Sequence, residues 1–132
     1  ERLATHIAAC AASPRPVNED AWHDGHAEGL RAYCTPRHAM ELGRRGKRMN
    51  PICPKELRAN IAAASDGGFE DFWQMREIAD LQAEMPFAWG FAGSGGFPGP
   101  MYEYSMISSR IAGARAKLAW IRARNEDMLG GL

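Results

Sequence analysis

The chain has 132 residues, 45% of them apolar, which is enough for one small domain with its own core. The formal net charge is +0 at pH 7, so no overall field favours binding to nucleic acid or to an acidic membrane surface. The sequence contains no apolar run near the roughly 20 residues that a membrane-spanning helix needs.

The first two helices are predicted from apolar spacing and capping residues. Residues 2–11 are expected to form a helix that ends before Pro14. A second helix, capped by Asn18 or Asp20, is predicted to run to about Tyr33.

Glycine and proline divide the next part of the chain. A short helix is predicted over 37–45, ending at Gly46, which suits a left-handed cap. A fourth helix is predicted over 54–65, and the pair Gly67 and Gly68 is interpreted as a break.

The second half predicts a helical hairpin. Residues 69–85 form a helix that Pro86 ends, residues 87–101 a loop rich in Gly, Pro and aromatic side chains, and residues 102–128 a last helix. The last helix repeats apolar side chains at alternating steps of four and three, typical of a seam that packs against another helix. Because so short a chain has few elements to cover this seam and the loop aromatics, we expect a partner-binding surface made of Trp89, Phe91, Phe97, Ile107, Ile111, Leu118 and Ile121.

These patterns predict an all-α fold, since no segment alternates as a strand does. Residues 1–68 are expected to form a helical core patterned with Gly and Cys, and residues 69–132 the C-terminal hairpin, in one compact unit.

Two glycines one turn apart mark the second helix. Gly25 and Gly29 share a helical face, and each costs roughly 1 kcal/mol relative to Ala inside a helix. We interpret them as a close helix–helix contact framed by Trp22 and Tyr33; a groove for a ligand or a partner helix is the alternative.

The three cysteines are candidates for a disulfide. A bridge between Cys34 and Cys53 would restrict the unfolded chain by roughly 3 kcal/mol on the loop-entropy model. Cys10 is then free, paired with a cysteine outside this sequence, or the partner of Cys53 in place of Cys34, so the residues alone leave the pairing open.

Catalytic and metal-binding patterns are weak. The candidate ligand pairs for zinc lie on different elements and include no Cys-x-x-Cys: His6 with Cys10, His23 with His26, and Cys34 with His38. The glycine-rich stretch 90–96 lacks the Lys-Ser/Thr of a phosphate loop, and no cysteine has the flanking residues of a nucleophile. We therefore predict no catalytic residue, metal or cofactor.

Charge is segregated along the chain. Residues 37–58 are mainly basic and residues 66–85 mainly acidic, which indicates either faces that meet within the fold or a solvated surface. A basic partner surface is the alternative, but no aromatic side chains are interleaved with the basic run, and no nucleic acid partner is expected.

The run Trp22-x-x-Gly25-x-x-x-Gly29-Leu30-x-x-Tyr33-Cys34-Thr35-Pro36, then Gly43-x-x-Gly46 and Cys53-Pro54, resembles an uncharacterised family. Its members are small, mostly proteobacterial, predicted envelope lipoproteins, filed as a domain of unknown function. The resemblance covers about residues 6–68 and implies export and oxidised cysteines, but no activity. The family's lipoprotein signal and an earlier helix are absent from this sequence, so lipid anchoring is not carried over.

These observations predict a non-enzymatic protein of the periplasm or outer envelope. It would act as an accessory subunit or protein-binding module of a larger assembly, with membrane association only through an N-terminal anchor outside this sequence. The alternatives are a metal-binding protein or enzyme that uses the Cys and His set, and a cytoplasmic adaptor with a basic binding face at residues 44–58.

Overall fold

The computed structural model describes residues 2–11, 18–90 and 99–131, and these contain helices and turns but no strand. The elements in chain order are α1 (Arg2–Ala9), α2 (Glu19–Tyr33), α3 (Pro36–Arg44), a 3-10 turn (Lys55–Leu57), α4 (Arg58–Gly90) and α5 (Gly99–Gly130). The expected all-α fold, with a disulfide and a C-terminal helical hairpin, is confirmed. No helix among the described residues combines the length and apolar character needed to cross a bilayer.

Short polar side chains begin α2 and α3. Asn18 and Thr35 each accept a hydrogen bond from the backbone N–H three residues later, at 3.0 and 3.2 Å. These side chains satisfy donors that the first turn of a helix leaves unpaired. The left-handed cap predicted at Gly46 is also confirmed, since its φ is 67°. A Cβ at Gly46 would lie 2.9 Å from the Phe72 ring, which packs over this turn.

The predicted break at Gly67 and Gly68 is wrong, because α4 is one continuous helix of 33 residues. Both glycines lie where another element approaches closely. A Cβ on Gly68 would lie 3.0 Å from the Cα of Gly43 in α3, and a Cβ on Gly67 would lie 2.5 Å from Oδ1 of Asn125 in α5. Close packing therefore offsets the roughly 1 kcal/mol that each glycine costs inside a helix.

The predicted end of the helix at Pro86 is also wrong, because α4 continues to Gly90. A proline inside a helix removes one hydrogen bond and crowds the carbonyl four residues earlier, which disfavours the helix, yet α4 continues for four residues beyond Pro86. α4 also runs across the expected division between 1–68 and 69–132. Residues 87–90 and 99–101 of the predicted loop are helical, and residues 91–98 lie outside the described residues.

α4 and α5 form an antiparallel hairpin, as predicted. Glu84 is paired with Arg110 near one end of it, and Glu70 with Arg124 near the other. Side chains at alternating steps of three and four fill the space between the helices and form what we call the hairpin core: Ile78, Leu81, Ile111, Ala114 and Leu118, with Met85 and Ile107 partly buried against them. This spacing is that of a coiled-coil seam.

A second core lies where α3, the start of α4 and the end of α5 meet. Cys34 and Cys53 form the predicted disulfide there, with their Cα atoms 5.6 Å apart. We call this cluster the disulfide core; its buried members are Cys34, Ala39, Met40, Cys53, Ile61 and Ala64, and Leu30, Tyr33, Met49, Met128 and Leu129 pack against it. Cys10 is a free, half-buried thiol.

The close helix contact predicted at Gly25 and Gly29 is wrong. Both glycines are exposed, and a Cβ on either would meet no atom within 4 Å. Their spacing does place them on one face of α2, but that face is turned to solvent. The glycines that allow helices to touch are Gly43 and Gly68 instead.

The two aromatic residues expected to frame that contact have different surroundings. Trp22 is half-buried, and its ring contacts those of His23 and His26 on its own helix, with centroids 5.1 Å away in each case. Tyr33 packs against the disulfide core, and its hydroxyl accepts a hydrogen bond from the backbone N–H of Asn50 at 3.2 Å. Tyr33 therefore ties the end of α2 to the loop that leads to Cys53.

Candidate functional site

An open groove of about 790 Å³ runs along one face of the hairpin, between α4 and α5. Trp73 and Trp120 stand on its two sides, one on each helix, and each is 60% exposed. Large exposed aromatic side chains are the residues that most often anchor a binding partner. The groove is therefore the candidate functional site.

The helical period explains why the two tryptophans are exposed. Trp73 directly precedes Gln74, and Trp120 directly precedes Ile121; both following residues are buried between the helices. One step along an α-helix rotates a side chain by about 100°, so each indole stands beside the seam and not inside it.

Charged side chains flank both tryptophans at the same helical spacing. On α4 the exposed residues that directly precede seam positions form what we call the acidic stripe: Asp66, Glu70, Trp73, Glu77, Asp80 and Glu84. On α5 the equivalent exposed residues form the basic stripe: Arg110, Gly113, Lys117, Trp120 and Arg124. The two sides of the groove therefore carry opposite charge around a central tryptophan.

Arginine side chains lie over two of the aromatic rings. The guanidinium of Arg124 is 5.0 Å from the ring centroid of Trp120, and Arg124 also pairs with Glu70 on the other helix. Arg48 lies 5.6 Å from the centroid of Phe69 at the edge of the groove. Such cation–π contacts contribute about 0.5–1 kcal/mol at exposed sites and orient the rings.

A buried carboxylate lies behind the groove. Asp71 is 2% exposed and accepts two hydrogen bonds from the guanidinium of Arg122, at 3.0 and 3.1 Å. Its Oδ2 also lies 3.3 Å from Nε of Arg44 in α3. The hydrogen bond to Asp71 raises the pKa of Arg122. One carboxylate of α4 therefore joins α3, α4 and α5.

The contact between Asp71 and Arg122 also positions the two tryptophans. Trp73 is two residues after Asp71, and Trp120 is two residues before Arg122 on the antiparallel helix. A polar contact made by a buried carboxylate between two helices favours one register of those helices. This register brings Trp73 and Trp120 to the same height along the hairpin.

The predicted open seam on the last helix is wrong. Ile111, Leu118 and Ile121 are buried, and Ile107 is half-buried against the hairpin core. α4 covers this face, since Asp71 contacts Arg122 near one end of the seam and Glu84 pairs with Arg110 near the other. The chain itself supplies the partner helix that the seam requires.

The predicted aromatic surface falls mostly outside what the structure describes. Trp89 lies in α4, but its side chain is not among those described, and Phe91 and Phe97 lie outside the described residues. The expectation that these three residues bind a partner therefore stays a prediction.

Both members of the candidate ligand pair Cys34 and His38 are engaged in other contacts. Cys34 belongs to the disulfide, and the ring of His38 contacts that of Tyr33 with centroids 4.9 Å apart. Within residues 2–11, 18–90 and 99–131 no three His, Cys, Asp or Glu side chains form a group that could hold a metal ion.

Five residues of this region were not predicted as functional from the sequence: Trp73, Trp120 and the buried polar residues Asp71, Gln74 and Asn125. The signal for the tryptophans was present, because each stands at the centre of a helical stripe of like charge. The signal for Asn125 was its position four residues after Ile121, which continues the steps of the seam.

The comparisons with known proteins identify a family. No curated protein and no solved structure matches the chain. The family model described as "Protein of unknown function (DUF2799)" matches residues 1–70. Because this match covers more than half of the 132 residues, the chain belongs to the DUF2799 family.

Proposed function

We propose that this protein is a non-enzymatic protein-binding module of the bacterial cell envelope, and that the groove between α4 and α5 binds its protein partner. The observation that carries the proposal is the pair of exposed tryptophans, Trp73 and Trp120, at one height on the two sides of the groove.

The chemistry of the groove supports a protein partner. Two indoles offer a large apolar area, and burying apolar surface contributes about 25 cal/mol per Å². Paired charges such as Glu70 with Arg124 surround them, in the arrangement of an interface with an aromatic centre and a polar rim.

The contacts within the groove support binding over catalysis. Its carboxylates and Lys117 are of types that can act as acid, base or nucleophile, but Glu70 is already paired with Arg124 across the groove. Gln74 donates a hydrogen bond to Glu77 at 2.6 Å, so this carboxylate is held by a neighbour on its own helix.

The disulfide between Cys34 and Cys53 supports a place in the envelope. Disulfides persist in oxidising compartments such as the bacterial periplasm and are rare in the cytoplasm. Cys34 is 3% and Cys53 4% exposed, so the bridge is part of a packed core and not a surface thiol pair.

Site-specific photo-crosslinking in cells tests the binding site. A benzophenone amino acid replaces Trp73, Trp120 or Tyr102, in three separate variants. Tyr102 is the matched control, because it is an exposed aromatic of the same hairpin (68% exposed) that does not line the groove. We expect protein adducts from positions 73 and 120 and none from position 102. Equal adducts from all three positions, or none from 73 and 120, would contradict the proposal.

Thiol labelling of unreduced cells tests the compartment. A maleimide reagent that adds mass should modify one of the three cysteines, Cys10, and fractionation should recover the protein from the envelope. Labelling of all three cysteines in a cytoplasmic fraction would contradict export.

A further inference from the structure

We infer that the protein bound in the groove is a second copy of this chain. The inference rests on the proposed function, because it names the partner of the same groove. The observation that carries it is that the two sides of the groove are complementary in charge to each other.

The charge difference between the two helices is large. Residues 66–84 of α4 contain six acidic residues and one basic residue, whereas residues 105–125 of α5 contain five basic residues and no acidic one. A different protein would have to match a surface whose two halves carry charges of opposite sign. A second copy matches it when α4 of each copy lies against α5 of the other, which is an isologous twofold interface.

The antiparallel hairpin makes this pairing possible in register. A twofold axis parallel to the hairpin leaves the height of every residue along that axis unchanged. α4 of one copy then lies antiparallel to α5 of the other, and residues of equal height meet. Trp73 faces Trp120 of the second copy, and Glu77 faces Lys117 of the second copy.

The contacts within one chain leave charges available for this pairing. Glu70 pairs with Arg124, and Glu84 with Arg110, so the charges at these two heights along the hairpin are already paired within one chain. At the level between them, Lys117 has no ion pair within the described part of the chain. Lys117 is therefore the cation of the basic stripe best placed to reach a carboxylate of another copy.

The area of the proposed dimer interface indicates how tightly the two copies should associate. The acidic stripe spans roughly 30 Å and two adjacent helices roughly 20 Å, which gives about 600 Å² for each copy. This area is at the lower end of specific interfaces. We therefore expect a four-helix dimer that dissociates in the micromolar range, with the tryptophans at its centre.

Sedimentation of the purified, oxidised chain over a range of concentrations tests the inference. We expect the mass to rise from one chain to two. Trp73→Ala and Trp120→Ala should each raise the dissociation constant at least tenfold, whereas Tyr102→Ala should leave it unchanged. Because both tryptophans are 60% exposed, circular dichroism should show that the variants keep their helices.

A charge-exchange experiment separates pairing between copies from pairing within one chain. Glu77→Lys and Lys117→Glu should each dissociate the dimer, because each brings like charges together across the twofold axis. An equimolar mixture of the two variants should form a heterodimer, because both contacts across the axis are then between opposite charges. If Glu77 and Lys117 instead interacted only within one chain, mixing the two variants would not restore their interaction.

The results that would overturn this inference differ from those that would overturn the proposed function. A chain that stays monomeric at millimolar concentration, a dimer that Trp73→Ala and Trp120→Ala leave intact, or a variant mixture that stays monomeric would each overturn the inference. Photo-adducts at position 73 that contain a different protein would overturn it too, while leaving the proposed binding function standing.

Discussion

The side-chain amide of Asn125 in α5 donates a hydrogen bond to the backbone carbonyl oxygen of Gly67 in α4, at 2.9 Å. Asn125 is fully buried. It fits against α4 because Gly67 has no Cβ, which would lie 2.5 Å from its Oδ1. One glycine and one amide therefore join the end of α5 to the first half of α4.

Replacing Gly67 with Ala should destabilise the protein by about 1–3 kcal/mol, because the new methyl group overlaps Asn125. Urea unfolding followed by circular dichroism measures the free energy change. The control is Gly113→Ala in α5, where a Cβ meets no atom within 4 Å and helix propensity should add up to about 1 kcal/mol. Two substitutions with the same effect would contradict this account of Gly67.

Gly25→Ala and Gly29→Ala should strengthen α2. Neither methyl group meets another atom, and Ala is favoured over Gly inside a helix by about 1 kcal/mol. Amide hydrogen exchange in α2 should slow about fivefold for each substitution, since 1.36 kcal/mol corresponds to tenfold. If either substitution speeds exchange instead, a contact on that face has been missed.

Breaking the disulfide should lower the free energy of unfolding by about 3 kcal/mol. The bridge closes a loop with a sequence separation of 19 residues, and its loss returns conformational freedom to the unfolded chain. Urea unfolding of Cys34→Ser, Cys53→Ser and the reduced protein measures the change. Cys10→Ser is the control and should unfold like the parent, because Cys10 is free.

Replacing Asp71 with Asn should cost about 2–3 kcal/mol, because Arg122 and Arg44 would both lose the buried carboxylate that they share. This loss of stability is smaller than for a fully buried ion pair, because the side chain of Arg122 is 50% exposed and that of Arg44 is 34% exposed. Thermal unfolding at low protein concentration measures it. Asp80→Asn, at an exposed position of the same helix, should change stability by less than about 0.5 kcal/mol.

Interactions between residues close in sequence predicted much of the secondary structure in the first half of the chain. The caps at Asn18 and Gly46 follow from interactions within three or four residues of the chain, so the start of α2 and the end of α3 are readable from the sequence. The C-terminal helix was predicted from its seam for the same reason, since a heptad spacing is a property of one helix.

Long-range packing decided what the sequence analysis missed. A pair of glycines can break a helix or allow another helix to pack closely against it. For Gly67 the outcome depends on Asn125, which is 58 residues further along the chain. The face that α5 buries likewise depends on its packing against α4. The groove could not be predicted for this reason, because its two sides come from helices whose alignment is set by the contact between Asp71 and Arg122.

The family match ends at residue 70, yet α4 continues well beyond it, and Met128 and Leu129 pack against the cysteine bridge. Cutting the polypeptide at that boundary would split a helix and uncover apolar side chains that the far end of the molecule normally shields. In this chain the first 70 residues therefore pack against the residues that follow them, so an expression strategy should keep the two parts together.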